Sequence, residues 1–240
     1  MKNIRSVCVQ GTRHHNANLL CQDSVCYAKN DSVTAIALSD GTGKDIWATI
    51  GAKTTSLSAA QYCADHFHEL STKSEDEIRY AMLSHIRSSL FHMNRCTDIS
   101  VKSMGATCIV VGVDNNSGKM LFLHLGDGCV AARDQAGNVM ILSYPINGVS
   151  KAYTNLITGF TCSDETRIGK GDIDGIAELL LLSDGWFEKH NRATDAAYSA
   201  FMHLDFGFEP AETKDDCSAV ALQLSCGNHR ADYYDSSPEN

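Results

Sequence analysis

The sequence predicts an α+β fold in which antiparallel sheets carry a helical layer on the outside. Three observations point that way. Short apolar runs of strand length occupy both ends of the chain. Between them the spacing of apolar residues switches to that of helices. The strands also come in runs joined by short polar turns rather than alternating singly with helices, which favours antiparallel pairing over a Rossmann arrangement.

Strand-like runs at Ile4 to Gln10, Ser24 to Ala28 and Val33 to Ser39 open the chain, separated by polar or Asn/Asp-rich breaks. Leu57, Ala60, Ala64 and Phe67 then recur at helical spacing, as do Ile78, Met82, Ile86, Leu90 and Met93. The pattern predicts a pair of helices of about five turns each. Ser74 and Glu77 have the spacing of a capping box at the second. A β-branched run at Thr107 to Val113 follows, then a turn at Asn115-Asn116-Ser117-Gly118. Lys119 to Leu125, Cys129 to Arg133 and Asn138 to Leu142 read as a meander. From Ser143 to Asp174 the periodicity dissolves, and an irregular stretch that long inside a compact domain is usually functional or mobile. Strand character returns at Ala177 to Ser183, helix at Ala193 to Leu204, and a last strand at Ser218 to Ser225. Residues 1–226 form one expected domain, with a polar, frayed tail over 227–240.

Composition narrows the function classes. The chain has 240 residues, a formal net charge of −9 and 43% hydrophobic content, enough to bury a substantial core. An acidic balance argues against nucleic acid, which needs a clustered basic face. No apolar run is long enough to cross a bilayer, and the N-terminus lacks the apolar core of a signal peptide. The ten cysteines contain no Cys-x-x-Cys pair, so the reading is of free thiols in a reduced, cytoplasmic protein without a membrane or nucleic-acid partner.

Three apolar runs end in the same dipeptide: Asp40-Gly41, Asp127-Gly128 and Asp184-Gly185. Singly, each reads as a turn, because Gly takes positive φ freely. Asp127-Gly128 reads best as a hairpin, since strand character resumes at Cys129. Together with Asp23 ahead of the second strand and Asp215-Asp216 ahead of the last, however, they suggest one acidic cluster at a sheet edge. Crowded carboxylates repel one another and raise each other's pKa. A hard divalent cation resolves that conflict, and all-oxygen ligands favour Mg²⁺ or Mn²⁺.

Gln22-Asp23, Ser39-Asp40-Gly41-Thr42-Gly43, Gly105-Ala106-Thr107, Gly126-Asp127-Gly128, Leu182-Ser183-Asp184-Gly185 and Asp215-Asp216 occur in the order found in PP2C-type metal-dependent Ser/Thr protein phosphatases. With Gly11-Thr12-Arg13-His14, the chain most resembles the compact bacterial branch, over about residues 4–225. The resemblance implies a four-layer α-β-β-α sandwich of two antiparallel sheets flanked by helix pairs. Asp40 would bridge two Mn²⁺ or Mg²⁺ ions, with the Gly41 carbonyl also a ligand. Asp184 and Asp215 would complete one ion's shell, Asp23 would hold its waters, and Asp127 would serve a third, weaker site. On this reading Asp40, Asp184 and Asp215 are the catalytic set, and a metal-activated water attacks the phosphorus without a phosphoenzyme intermediate. The 143–174 stretch falls where the family carries its flap.

The chain departs from the family pattern in three places. Gln22 replaces a common Glu, and Thr42 stands where the eukaryotic enzymes have a His. The phosphate-binding Arg has no clean match, leaving Arg13, His14 or His15 as candidates. A phosphoprotein substrate and a cognate Ser/Thr kinase are implied partners. Two other readings stay open: a catalytically weak or inactive regulatory module of the same fold, and a different metal-dependent phosphohydrolase. His66 and His68 read as solvent-facing, and Trp47 and Trp186 as packing residues.

Overall fold

The computed structural model describes residues 3–42, 46–146, 154–207 and 212–224. Gly43, the middle of the expected flap and the 227–240 tail lie outside them. The chain runs β1 (Ile4–Val9), α1 (Thr12–Asn16), β2 (Asp23–Lys29), β3 (Val33–Asp40), α2 (Trp47–Thr72), α3 (Glu75–Thr97), a 3₁₀ turn (Val101–Met104), β4 (Cys108–Asp114), β5 (Lys119–Leu125), β6 (Cys129–Asp134), β7 (Val139–Ser143), α4 (Cys162–Glu165), β8 (Arg167–Asp172), β9 (Ile176–Leu182), a 3₁₀ turn (Asp184–Lys189), α5 (Ala193–Phe206) and β10 (Cys217–Gln223).

Two five-stranded sheets result, ordered β1-β10-β9-β6-β7 and β2-β3-β4-β5-β8, and every named strand pair is antiparallel. The expected sandwich is therefore present. Strand alternation sorts its three cores. On β3, Ile36 and Leu38 point into the layer between the sheets, while Ala35 and Ala37 face the helices α2 and α3. On β10, Val220 and Leu222 face the other sheet, whereas Ala219 and Ala221 meet α5. Branched side chains fill the space between sheets and small ones let helices approach closely. The helical cover of the β1-β10-β9-β6-β7 sheet, among the described residues, is α5 with the 184–189 turn rather than a matched pair of long helices.

Both long helices exceed the length that the apolar stripe predicts. The N-terminal turns of α2 bury Gly51, Ala52, Thr55 and Ser56, small or polar residues that leave no hydrophobic signature. The capping box at α3 is formed as expected: Ser74 N donates to Glu77 Oε2 at 2.9 Å and Ser74 Oγ accepts from Glu77 N. No described cysteine is in a disulfide, and no described helix is long and apolar enough to cross a membrane.

Three expectations need correction. The meander is broken, because β5 belongs to one sheet and β6 and β7 to the other. Asp127-Gly128 is thus no hairpin but the crossing between sheets. The 143–174 stretch is not irregular throughout, since it contains β8, paired with β5. Gly169 and Gly171 erased its apolar pattern, and at Gly169 the Phe122 ring occupies the space of a side chain, 2.1 Å from where a Cβ would stand. Finally, the three Asp-Gly glycines do not take positive φ. Each is required for close approach instead: a Cβ would sit 2.5 Å from Ala48 O at Gly41, 2.3 Å from Leu182 O at Gly128 and 2.0 Å from Asp216 O at Gly185.

Candidate metal centre

The sandwich brings the three Asp-Gly loops to one rim. β2 and β3 pair so that Asp23 lies opposite Asp40, and β6 beside β9 sets Cys129 opposite Leu182, the residues just beyond Gly128 and just before Ser183. The ends of β9 and β10 are locked together by Ser183, whose N–H donates to Ser218 O at 3.0 Å and whose Oγ accepts from Ser218 N at 2.8 Å. Trp186 Nε1 donates to the same carbonyl at 3.0 Å, so Trp186 packs as expected. Across the rim, Thr107 explains the Gly-Ala-Thr motif: its Oγ1 accepts from Asp40 N at 2.9 Å and its own N–H donates to Asp40 O at 2.8 Å.

Asp40, Asp127 and Asp184 converge, each offering a carboxylate oxygen within 4.8 Å of the others. Among the described residues no cationic side chain pairs with any of the three. Burial and then the charges of Asp23, Asp184, Asp127 and Asp215 push the Asp40 carboxyl well above the usual carboxylate range. Burial followed by Asp127 and Asp215 raises Asp184 to about 7. Burial raises Asp23 to about 6, moderated by the nearby Ser218 and Ser183 hydroxyls, and raises Asp127 against the hydrogen bond from Thr154. Among the described residues, both oxygens of Asp23, Oδ1 of Asp127 and Oδ1 of Asp184 are buried without a hydrogen-bond partner of ordinary geometry. Buried carboxylate oxygens left bare and crowded together are costly in a metal-free protein, and this all-oxygen donor set fits a hard divalent cation. The carboxylates open onto a cavity of about 730 Å³ whose wall includes Asp127, Asp184, Tyr144, Phe187 and His190.

Asp215 and Asp23 stand beside this triad, close enough for their charges to act on Asp40. Asp215 is held from two sides. Glu188, on the turn after Asp184, accepts from Lys214 N at 2.8 Å and Asp215 N at 3.0 Å. Arg13, 64% exposed at its side chain, donates from Nη1 to Asp215 Oδ2 at 3.0 Å. His14 is placed differently: buried, its Nδ1 donates to Asp216 Oδ2 at 2.8 Å. Asp216 also accepts from Gly11 N at 2.8 Å and Gln22 N at 2.5 Å, so one carboxylate ties the α1 loop, the Gln22-Asp23 segment and the Asp215 loop together. His15, on α1 beside it, is exposed. Gly41 stays at the rim, its N–H donating to Gln22 O at 3.1 Å. Sequence reasoning named Asp216 without a role and missed Glu188 and Thr154. Their partners lie 26 or more residues away in the chain, so only the four-residue spacing of Glu188 from Asp184 hinted at a place near the site.

Comparison with known proteins fits this geometry. Curated protein sequences yield no match. Among solved structures, a serine/threonine phosphatase of S. agalactiae superposes with a TM-score of 0.63 at 18% identity, covering 94% of this chain and 100% of that one. A bacterial serine phosphatase gives 0.60 at 14% identity, over 94% and 98%. RsbX in complex with magnesium gives 0.50 at 14% identity, over 93% and 94%. At such identities these likenesses speak for the fold. A sequence model of the protein phosphatase 2C family spans residues 10–224, and the chain belongs to that family.

Proposed function

We propose that the protein is a metal-dependent phosphatase that hydrolyses phosphoserine and phosphothreonine in proteins. The observation that carries this reading is the convergence of Asp40, Asp127 and Asp184 at one rim of the sandwich, where Asp127 and Asp184 each bury a carboxylate oxygen without a hydrogen-bond partner among the described residues. Asp40, Asp184 and Asp215 would hold the principal ions, Mn²⁺ or Mg²⁺, with the Gly41 carbonyl and Asp23 assisting and Asp127 serving a third position. Once bound, the ions would activate a water and neutralise charge developing on the phosphoryl group.

The chain's own residues prepare that site. Glu188 and Asp216 fix the Asp215 loop through backbone amides on both sides of it. Arg13 reaches the edge of the acidic cluster with an exposed guanidinium, the group best shaped for a phosphate. His14 is committed to Asp216, which makes Arg13 the better phosphate-binding candidate of the two. Thr42 offers only a neutral hydroxyl where a general acid could stand, so protonation of the leaving group falls to water or another residue. A cytoplasmic location and a cognate Ser/Thr kinase accord with this reading.

Purified protein should hydrolyse a phosphothreonine peptide and p-nitrophenyl phosphate when Mn²⁺ is supplied, and excess chelator should abolish both. Absence of turnover in saturating Mn²⁺ and Mg²⁺ would contradict the proposal. Gln22, in place of the common Glu, favours a second reading as a non-catalytic regulatory module of the same family. Such a module need not bind two ions, so calorimetric titration with Mn²⁺ separates the two.

A further inference from the structure

Thr154, whose hydroxyl donates to Asp127 Oδ2 at 2.5 Å, also lines a second cavity of about 640 Å³. Thr42, two residues beyond Asp40, lines it too, so this cavity adjoins the carboxylates from another direction. Its other walls include Lys102, Asn155, Thr158 and Phe160. The segment carrying these residues is pressed onto Gly105 and Ala106, just after the 101–104 turn: Ile157 N donates to Ala106 O at 2.9 Å, and a Cβ on Gly105 would lie 2.9 Å from the Leu156 side chain.

The chemistry of this cavity is opposite to that of its neighbour. In a chain of net charge −9, its described lining holds an ammonium group and no carboxylate. Lys102 is exposed and makes no ion pair or hydrogen bond among the described residues. Asn155 is 6% exposed, yet its Nδ2 has no acceptor among the described residues. A buried amide donor without a partner is costly, and a ligand oxygen would satisfy it. The Thr42 and Thr158 hydroxyls can donate or accept, as a peptide backbone requires. Phe160, 98% exposed, offers an aromatic face at the rim.

We propose that this cavity receives residues flanking the phosphorylated side chain, and that Lys102 and Asn155 select a carboxylate there. The inference rests on the phosphatase reading and specifies its substrate: a phosphopeptide with acidic neighbours. It does not follow from the carboxylate cluster, which repels acidic chains.

The test uses fluorescent peptides bearing a non-hydrolysable phosphonate in place of phosphothreonine, flanked by glutamates or by lysines. Affinity is read by anisotropy with Mn²⁺ present, beside turnover of p-nitrophenyl phosphate. The wild-type protein should bind the glutamate-flanked peptide about tenfold tighter, the scale of one charge-assisted hydrogen bond. Lys102→Gln should reduce that ratio to near one, and Lys102→Arg should retain most of it. Equal affinities in the wild type, or a ratio that survives Lys102→Gln, would overturn the subsite while p-nitrophenyl phosphate turnover still upheld the phosphatase. Failure of every peptide to bind, with no turnover, would overturn both.

Discussion

Replacing Asp40 by asparagine should have opposite effects on the metal-free and metal-loaded protein. Carboxylate oxygens of Asp40, Asp127 and Asp184 lie within 4.8 Å of one another. At that separation two unit charges repel by about 3 kcal/mol for an effective dielectric near 20. The folded, metal-free protein escapes part of this by keeping protons on the cluster, as the raised Asp40 and Asp184 carboxyls show. The net relief on removing one charge is therefore smaller, about 1–3 kcal/mol. For a domain of this size that raises Tm by about 2–12 °C. Saturating Mn²⁺ at about a hundred times Kd should stabilise the wild type by about 2.7 kcal/mol. The variant should lose that increment. Differential scanning fluorimetry of chelator-stripped protein, with and without Mn²⁺, reads both effects. An Asp40→Asn protein that keeps the full Mn²⁺-induced rise would refute the ligand role, and a metal-free Tm below the wild type's would refute the repulsion argument.

Three further outcomes follow from the same geometry. Gly185→Ala drives a methyl to within 2.0 Å of Asp216 O, so it should cost about 1–3 kcal/mol by urea unfolding and weaken Mn²⁺ binding by moving Asp184; a variant as stable as the wild type would show that the contact relaxes freely. Asp216→Ala strands the donors of Gly11, His14 and Gln22 and should cost about 3–5 kcal/mol, with Asp216→Asn recovering part of it, whereas equal losses for both would deny the acceptor role. Stability of the metal-free protein should depend on pH. Asp184 near 7 and Asp23 near 6 bind protons in the fold that the unfolded carboxylates, ordinarily 3.8, have already released, so stability is full below about pH 4 and falls as pH rises through about 7. Buried His124, held down to about 4, opposes this only below its ordinary 6.5. Chelated protein should thus melt higher at pH 6.5 than at pH 8, and a rising Tm over that interval would contradict the shifts.

Much of this was legible in the sequence, for identifiable reasons. Strands buried on both faces, such as β3, leave continuous apolar runs that end abruptly, and that abruptness flagged Asp40 and Asp184. The Ser74 capping box is local and read directly. What failed was anything depending on which sheet a strand joins. Asp127-Gly128 has the local chemistry of a hairpin, but β5 and β6 belong to different sheets, and only that crossing carries Asp127 to the rim. Strand β8 was hidden because Gly169 makes room for Phe122, whose side chain supplies the missing apolar surface from across the sheet. The family resemblance suggests His14 for phosphate binding, and its hydrogen bond to Asp216, 202 residues away, leaves no local signal. The cation and bare amide at Lys102 and Asn155 have no pattern in the chain, since they stand 53 positions apart and come together only at the cavity they line.

The central claim is that Asp40 and Asp184 hold divalent cations. Anomalous diffraction at the manganese edge, from crystals grown with Mn²⁺, tests it most directly. Anomalous peaks within coordinating reach of Asp40, at least one shared with Asp184, are the expected result. A well-diffracting crystal saturated with Mn²⁺ but lacking any peak at that rim would contradict it.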